Sequence, residues 1–326
     1  MTVGDWLEEV RQDYSKYGIK GLKFNAEDLF HGLLSRGGFW VNYGEDHYNQ
    51  NWDLLIILDA CRWDLFEEVV SEYDFIETSS TFMSNSSHSR EWLHKHFMDE
   101  PSGLEMIKVW NRILRDPDDM GIFEDYYTMS NRSELGKTAY VTWNVFGQML
   151  DGDAFKEFVP VGRAAWGDDQ QILEPRIITD ETIRVMRESD PEYTIAHYMQ
   201  PHTPFRDSDG LQNEGSVWER IQRGEKDYDE AWGEYKQNLR WVLDDVELLL
   251  ENVEAENVAI TADHGNAIGE WGCYGHRPYV PNPAVKRVPW ATATATDEET
   301  HIPEFDERSE ATESEVEERL EALGYA

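Results

Sequence analysis

Carboxylate and imidazole side chains stand within three residues of the ends of three short apolar runs of the chain. They are Asp59 after Asp53–Leu58, His202 after Tyr193–Met199, and Asp263 with His264 after Asn257–Thr261. Each alone is a weak indication, because a carboxylate at the end of a strand is often only a helix cap. Oxygen and imidazole donors that converge from separate segments can bind a divalent ion, and Mn²⁺, Zn²⁺, Mg²⁺ and Ca²⁺ all remain open. Together the residues predict a metal site.

The elements that must position these residues alternate along the chain. The apolar runs, together with Ala139–Trp143, are short and apolar on both faces, as in buried parallel strands. Helical stretches separate them, at Cys61–Glu72, Ser89–Phe97, Asp180–Glu188 and Lys226–Val253. This alternation predicts an α/β fold with a mostly parallel central sheet and helices on both faces. Ligands of such sheets bind at the carboxyl ends of the strands, where Asp59, His202 and Asp263 fall.

We expect three regions along the 326 residues. Residues 1–50 are predicted to be a helical lead-in, and residues 51–295 the catalytic core. Residues 296–326 are predicted to be an acidic tail that closes with a short helix at Glu315–Gly324, ended by the glycine.

The charge is extreme: 29 basic and 66 acidic residues give a formal net charge of −37. Such self-repulsion strains a compact state unless salt screens it, so we expect adaptation to a very salty cytoplasm. The same charge argues against binding nucleic acid or an anionic membrane by bulk electrostatics. The N-terminus lacks the apolar core of a signal peptide, and the longest strongly apolar run, Leu54–Leu58, is too short to span a bilayer. Two distant cysteines predict no disulfide framework.

Four segments resemble the sulfatase-like branch of the alkaline phosphatase superfamily. They are Leu58-Asp-Ala-Cys-Arg62, Tyr198-Met-Gln-Pro-His-Thr-Pro-Phe205, Thr261-Ala-Asp-His-Gly265 and Tyr274-Gly-His276. The resemblance covers about residues 51–326, in the order and spacing of that branch. It implies that Asp59, Asp263 and His264 bind metal, and that His276 binds metal or the substrate's oxyanion. It also implies that His202 faces the leaving group; its alternative is a turn residue held by two prolines. We expect His197, inside its strand, to be packed rather than catalytic.

The resemblance places a nucleophile on the turn into a helix after the first metal ligand, which here is the serine-rich segment Ser84–Trp92. There a backbone N–H array and the helix dipole stabilise a transferred anionic group. One alignment selects Ser87 ahead of Glu91, and this is our first choice. A sulfatase-style alignment selects Ser86, while Ser89 is a third candidate that we otherwise expect to be the helix N-cap. Arg62 and Arg90 are candidates to clamp phosphate oxygens, with pairing to nearby acids as the alternative.

These residues predict a metal-dependent hydrolase or transferase that acts on phosphate esters through an unmodified serine. A true sulfatase modifies a Cys or Ser in a motif whose third residue is Pro, whereas His88 stands there in this chain. Sulfate-ester hydrolysis is therefore the second reading, and a catalytically silent binding protein is the third. The expected partner is a small-molecule ester, with a sugar or glycan precursor as one option. The oligomeric state stays open.

Overall fold

A computed structural model describes residues 3–41, 43–115, 125–161, 174–206 and 216–304. The helices are α1 (Val3–Tyr17), α2 (Ile19–Gly38), α3 (Trp63–Val69), α4 (Ser89–Phe97), α5 (Leu104–Arg115), α6 (Pro175–Ser189), α7 (Val217–Arg223), α8 (Tyr228–Leu250) and α9 (Pro283–Lys286). The strands are β1 (Leu54–Leu58), β2 (Thr78–Met83), β3 (Met98–Asp99), β4 (Thr128–Met129), β5 (Thr138–Thr142), β6 (Glu157–Pro160), β7 (Tyr193–Tyr198), β8 (Ala255–Thr261), β9 (Ala267–Ile268), β10 (Tyr274–Gly275) and β11 (Arg287–Ala295).

Seven strands form the central sheet, in the order β2-β11-β8-β1-β7-β5-β6. Strand β1 pairs in parallel with both β7 and β8, and β5 pairs in parallel with β6 and β7. Strand β11 runs antiparallel to both of its neighbours, β2 and β8. The sheet is therefore mostly parallel, which confirms the fold class predicted from the sequence.

The central strand β1 is buried on both faces because helices cover both sides of the sheet. Leu54, Ile56 and Leu58 lie in one apolar cluster with residues of α3, α6 and α8. Leu55 and Ile57 point the other way, since side chains alternate along a strand, and they pack with α4 and a group of aromatic rings. The layers hold the carboxyl ends of β1, β7 and β8 side by side.

The predicted elements are present, with small differences at their ends. The helix predicted over Cys61–Glu72 begins at Trp63 and changes at Val69 to a 3₁₀ turn. The edge strands β2 and β6 and the antiparallel strand β11 were not predicted, because β2 is rich in Ser and Thr, β11 alternates Ala and Thr, and β6 is only four residues long. The helix predicted at Glu315–Gly324 lies outside the described residues. Over the part that the structure describes, no helix is both long and apolar enough to cross a bilayer.

Candidate active site

Three neighbouring strands of the sheet deliver the central acidic and imidazole side chains. Asp59 directly follows β1, Asp263 lies two residues beyond β8, and His197 is the second-last residue of β7. In the sheet register His197 lies beside Ile57, so it is close to the end of β1. All three side chains are fully buried. The strand-end placement of Asp59 and Asp263 agrees with the sequence analysis.

Three ligand atoms converge here without hydrogen-bond partners. Asp59 Oδ1, His197 Nε2 and Asp263 Oδ2 are buried and make no hydrogen bond. One ligand atom from each of these residues lies within 4.8 Å of the other two, a spacing that fits a shared metal ion. His197 Nε2 is 3.5 Å from Asp59 Oδ2 and 3.9 Å from Asp263 Oδ2. Buried polar atoms normally make hydrogen bonds. Two carboxylate oxygens and one imidazole nitrogen without such partners are a set of metal-ligand atoms that fits a divalent cation.

His264 completes this group, which we call the ligand cluster (Asp59, His197, Asp263 and His264). Its Nε2 atom is 3.4 Å from Asp263 Oδ2 and 3.8 Å from Asp59 Oδ1. Its Nδ1 atom lies 2.9 Å from the carbonyl oxygen of Gly265, which can only accept a hydrogen bond. Nδ1 therefore carries the proton of the neutral ring and leaves the lone pair on Nε2, facing the carboxylates.

The sequence analysis expected His197 to be packed rather than catalytic, and the structure does pack it, but also places it in the group of residues that could hold a metal ion. Its Nδ1 atom lies 2.9 Å from the hydroxyl of Tyr140, and its ring packs against Trp92 at 5.5 Å between centroids. Both contacts fix the ring orientation, as outer-shell partners of metal-bound histidines do. The signal was an imidazole within a strand that is otherwise buried and apolar, since an unpaired polar group is costly there.

The two carboxylates of the ligand cluster have pKa values shifted in opposite directions. Burial, followed by repulsion from Asp263, raises the pKa of Asp59 well above its usual range. Burial would also raise the pKa of Asp263, but attraction to His264 and His197 and a hydrogen bond from the Ala60 N–H lower it overall. Two ionised carboxylates at this site therefore repel each other, and a bound cation would offset that repulsion.

Helix α4 begins beside this cluster, and its first residue points into it. The Ser89 hydroxyl lies 3.1 Å from Asp59 Oδ2 and 3.1 Å from His264 Nε2. The expectation that Ser89 is the N-cap is wrong, because His88 is the N-cap and its Nδ1 accepts a hydrogen bond of 3.0 Å from the Arg90 N–H. Ser84 ties the preceding turn to the site, since its hydroxyl donates to the Asp263 carbonyl at 2.6 Å.

The other two serine candidates have different partners. The Ser87 hydroxyl lies 2.9 Å from Glu91 Oε2 and 2.8 Å from the carbonyl oxygen of Arg277, and it accepts a hydrogen bond of 2.9 Å from the Val280 N–H. The Ser86 hydroxyl donates to Asn85 Oδ1 at 2.7 Å. None of these partners belongs to the ligand cluster. The geometry therefore favours Ser89, which the sequence ranked below Ser87, as the candidate nucleophile, and the choice between them stays a prediction.

His202 and His276 form a pair next to the ligand cluster. Their Nε2 atoms are 3.1 Å apart, and the His276 ring stacks on His264 with centroids 4.3 Å apart. His202 Nδ1 lies 2.5 Å from the Thr203 carbonyl oxygen, so it is the protonated nitrogen and Nε2 accepts from His276. Burial lowers the pKa of His202 to about 4 and that of His276 well below its usual range. His276 is partly exposed, so the pair lies at the solvent side of the site.

The structure gives the two candidate arginines different surroundings. Arg62 is buried and fully engaged: it binds Asp64 and Glu270, and its Nη1 donates to the Asn266 carbonyl at 2.7 Å. Arg62 thereby holds the loop that follows His264 rather than presenting its donors to a substrate. Arg90 is buried in the first turn of α4, and its charge adds to the effect of burial in lowering the pKa of His88. A role for Arg90 in binding phosphate stays a prediction.

Gly265 is required where it stands, between His264 and the loop held by Arg62. A Cβ atom there would lie 2.9 Å from the Ala284 carbonyl oxygen and 3.0 Å from Arg62 Cγ. Its N–H donates to the Val285 carbonyl at 2.6 Å. In the Asp-His-Gly sequence, Asp263 and His264 thus belong to the ligand cluster, and the glycine leaves room for the Ala284 carbonyl.

Several solved structures are similar in fold to this chain. The soluble domain of lipooligosaccharide phosphoethanolamine transferase A from Neisseria meningitidis is 14% identical, with 76% of this chain and 77% of that chain covered and a TM-score of 0.44. The C-terminal periplasmic domain of a phosphoethanolamine transferase from Campylobacter jejuni is also 14% identical, with 73% and 77% covered and a TM-score of 0.41. A protein of the alkaline phosphatase superfamily from Vibrio parahaemolyticus is 9% identical, with 82% and 69% covered and a TM-score of 0.37.

Neither a family model nor a curated protein matches the chain. The structural likenesses concern the fold alone. At such identities and TM-scores they do not indicate the reaction, which has to be inferred from the site itself.

Proposed function

We propose that this protein is a metal-dependent enzyme that hydrolyses phosphate esters or transfers their phospho group, with Ser89 as nucleophile. The observation that carries the proposal is the position of the Ser89 hydroxyl, 3.1 Å from both Asp59 Oδ2 and His264 Nε2. The same hydroxyl stands at the N-terminus of a nine-residue helix, where backbone N–H groups favour an anionic substrate.

Asp59, His197, Asp263 and His264 would hold the metal ion. A bound divalent ion would polarise the ester and lower the pKa of the serine hydroxyl. Because imidazole nitrogens are among the donors, Zn²⁺ or Mn²⁺ suits the site better than Mg²⁺ or Ca²⁺.

The chain's own residues supply the other parts of a double displacement. Ser89 Oγ attacks phosphorus, the bond from phosphorus to the leaving oxygen breaks, and the serine proton passes to Asp59 Oδ2, 3.1 Å away. The leaving oxygen takes a proton from water at the solvent side of the site, where His202 and His276 lie. In the neutral pair His202 Nε2 accepts a hydrogen bond from His276, so His202 itself does not supply that proton. Water or an acceptor alcohol then releases the phosphoserine.

Phosphate is preferred over sulfate because of the residues around the nucleophile. A sulfatase of the modified type needs a Cys or Ser with Pro two residues later, whereas Ser89 is followed by Arg90 and Glu91. A phosphate ester therefore fits an unmodified serine. An intact mass that shows an aldehyde in place of Ser86 or Ser89 would revive the sulfatase reading.

The test measures metal and turnover together. Purified protein, supplied with Zn²⁺ or Mn²⁺, is assayed on aryl phosphate monoesters, diesters and sulfates, and bound metal is measured by elemental analysis. We expect Asp263→Asn to lose metal and turnover, while the matched control Asp245→Asn keeps both, since Asp245 is a buried acid paired with Arg176. Wild-type protein that binds no divalent metal, or an Asp263→Asn variant with full occupancy, would contradict the proposal.

A further inference from the structure

Two arginine side chains from distant parts of the chain converge beside Gly32 of α2. Arg36 lies one turn further along the helix, and Arg277 directly follows His276. A Cβ atom on Gly32 would lie 3.1 Å from Arg36 Nη1 and 3.8 Å from Arg277 Nη1, so both nitrogen atoms stand close to the same point. The missing side chain of Gly32 leaves the room that the two guanidinium groups share. Like charges held together repel each other, so this arrangement favours a negatively charged ligand.

Helix α2 packs against the loop that carries His276, and this contact holds Arg277 in place. Asp28 of α2 forms an ion pair with Arg277, and the Ser35 hydroxyl donates a hydrogen bond to the Pro278 carbonyl oxygen. Asp28 and Ser35 are two helical turns apart, which places them on the same side of the helix. The two contacts therefore fix the loop directly after His276.

His31 lies between these two contacts, on the same side of α2 as Ser35. The residue is 4% exposed, and its Nε2 atom is buried and makes no hydrogen bond. Burial, followed by the charge of Arg277, lowers the pKa of His31 to about 3, so its ring is neutral at neutral pH. Burial is also the main cause of the low pKa of His276, and His31 is one of the imidazoles that lower it further. An imidazole nitrogen without a partner, near both Arg277 and His276, can form a hydrogen bond with a ligand held there.

A short series of contacts connects these side chains to the candidate nucleophile. The Ser89 hydroxyl lies 3.1 Å from His264 Nε2, and the His264 ring stacks on His276 with centroids 4.3 Å apart. Arg277 comes next in the chain, and its carbonyl oxygen lies 2.8 Å from the Ser87 hydroxyl in the turn before α4. The two arginines thus lie on the solvent side of the reaction centre, where the part of a substrate beyond the transferred phosphate would extend.

We propose that His31, Arg36 and Arg277 form an outer subsite that binds a second negatively charged group of the phosphate ester, a carboxylate or a further phosphate. This inference rests on the proposed function, since it names the class of ester that the active site accepts. Guanidinium donors match the oxygen atoms of carboxylate and phosphate groups. Because the chain carries a formal net charge of −37, an anionic ester has to be attracted locally, and this pair of arginines provides that attraction. Asp28 binds Arg277 while the subsite is empty, and it competes with the ligand.

The test compares aryl phosphates that carry a carboxylate at the meta or para position with their carboxamide analogues, which have nearly the same shape without the charge. With Zn²⁺ or Mn²⁺ present, we expect the KM of wild-type protein to be about tenfold lower for the carboxylate ester at one ring position at least, because hydrogen bonds to charged groups are the stronger ones. The values of kcat should be similar for the two esters, since the subsite binds the ground state and the transition state alike.

Three variants separate the subsite from the rest of the protein. Arg36→Gln and Arg277→Gln should each raise the KM of the carboxylate ester about tenfold and leave that of the carboxamide within about twofold. Asp28→Asn should lower the KM of the carboxylate ester about two- to fivefold, because it releases Arg277 from a competing carboxylate. The matched control is Arg187→Gln, which removes the same charge from an arginine paired with Asp297 at 2.7 Å, in the last turn of α6 before the amino end of β7. It should behave as wild type with both esters.

Circular dichroism of each variant ensures that a raised KM is not a loss of folding, and the opposite effect of Asp28→Asn cannot come from misfolding. Equal KM values for carboxylate and carboxamide esters at both ring positions would overturn the proposal. An Arg277→Gln variant that affects both esters equally would overturn it as well. If neither ester is turned over, the proposed function fails, but calorimetric titration of the two esters still decides about the subsite. Binding of the carboxylate ester about tenfold tighter than the carboxamide supports the subsite, and equal binding overturns it.

Discussion

Two buried charged clusters touch the first turns of α4, and they differ in how their charges are satisfied. The ligand cluster reaches the helix at Ser89. The second, which we call the paired cluster, consists of Glu91, Lys95 and Lys286. In the paired cluster Glu91 Oε2 accepts from the backbone N–H groups of Ser87 and Tyr279, at 2.9 and 2.8 Å, and Oε1 binds Lys95.

The lysines of the paired cluster are bound in turn. Lys95 Nζ donates to the Asn85 carbonyl at 2.7 Å, and Lys286 Nζ donates to the same oxygen at 3.1 Å. Burial lowers the pKa of Lys286 to about 8, although Glu91 opposes that shift. The paired cluster thus satisfies its charges within the protein and holds the turn before α4.

The ligand cluster has no comparable balance. Among the described residues, the ion-pair partners of Asp59 and Asp263 are imidazoles, which are neutral unless protonated. Burial lowers the pKa of His197 to about 4, so this ring stays neutral at neutral pH. Buried carboxylates without a counter-charge cost several kcal/mol each, as order of magnitude. The difference indicates that the paired cluster serves folding, whereas the ligand cluster contains the group of residues that could hold a metal ion.

The largest expected effect is on turnover, and it should distinguish Ser89 at the ligand cluster from Ser87 at the paired cluster. Ser89→Ala should lower turnover by on the order of 10³-fold or more, because it removes the proposed nucleophile. Ser87→Ala should leave turnover within a few-fold and lower the free energy of unfolding by about 1–3 kcal/mol, since buried groups lose their partner. Steady-state kinetics and urea unfolding of both variants measure this. Loss of turnover in Ser87→Ala alone would restore the original choice.

The paired cluster should matter for stability rather than for metal. Glu91→Gln should lower the free energy of unfolding by about 3–5 kcal/mol, because it leaves buried lysines without a carboxylate. Burial alone would raise the pKa of Glu91, but Lys95 and Lys286 lower it from 4.5 to about 2. The contribution of the carboxylate is therefore complete above about pH 4.5 and is lost as the pH falls towards 2. Urea unfolding against pH should show the difference from wild type shrinking below about pH 4.5.

Metal should stabilise through the ligand cluster only. At a free concentration of 100 times its dissociation constant, Zn²⁺ or Mn²⁺ should add about 2.7 kcal/mol to the free energy of unfolding. The same addition should stabilise Glu91→Gln but not Asp263→Asn. Without metal, Asp59→Asn should be at least as stable as wild type, because it removes the carboxylate whose pKa is raised by burial and by repulsion from Asp263. Thermal melts in chelator and in excess metal test this, and a strongly destabilised metal-free Asp59→Asn would contradict it.

The fold and the residues at the strand ends could be predicted from the sequence because both follow from local patterns. Continuous apolar runs predicted the buried strands, and Asp59 and Asp263 fall where such strands end. The choice among serines required geometry, because six serines between residues 79 and 89 offer no pattern. Ser87 was selected by its distance from Glu91, and the structure shows that this spacing does bring the two together, as a hydrogen-bonded pair outside the ligand cluster.

His197 shows a second limit of the sequence. One buried imidazole in a strand has no visible partner along the chain, and its neighbours Asp59 and Asp263 come from strands that are 138 and 66 residues away. Their approach depends on the strand order β8-β1-β7, which the sequence does not specify.

Salt should separate the paired cluster from the exposed acidic surface, and its effect on the paired cluster is the smallest that we expect. The Debye length falls from about 10 Å at 0.1 M salt to about 3 Å at 1 M, so repulsion among exposed carboxylates should fade and the melting temperature of metal-free wild type should rise. Glu91 and Lys286 are buried and the side chain of Lys95 is 9% exposed, and charges so little exposed are screened much less. The difference in unfolding free energy between wild type and Glu91→Gln should therefore change by no more than about 0.5 kcal/mol over that range, within the usual error of additivity. Melts in chelator at low and high KCl measure both quantities. A wild-type melting temperature that is flat with salt would contradict the proposed salt adaptation, whereas a difference that halves would mean that solvent ions reach the paired cluster.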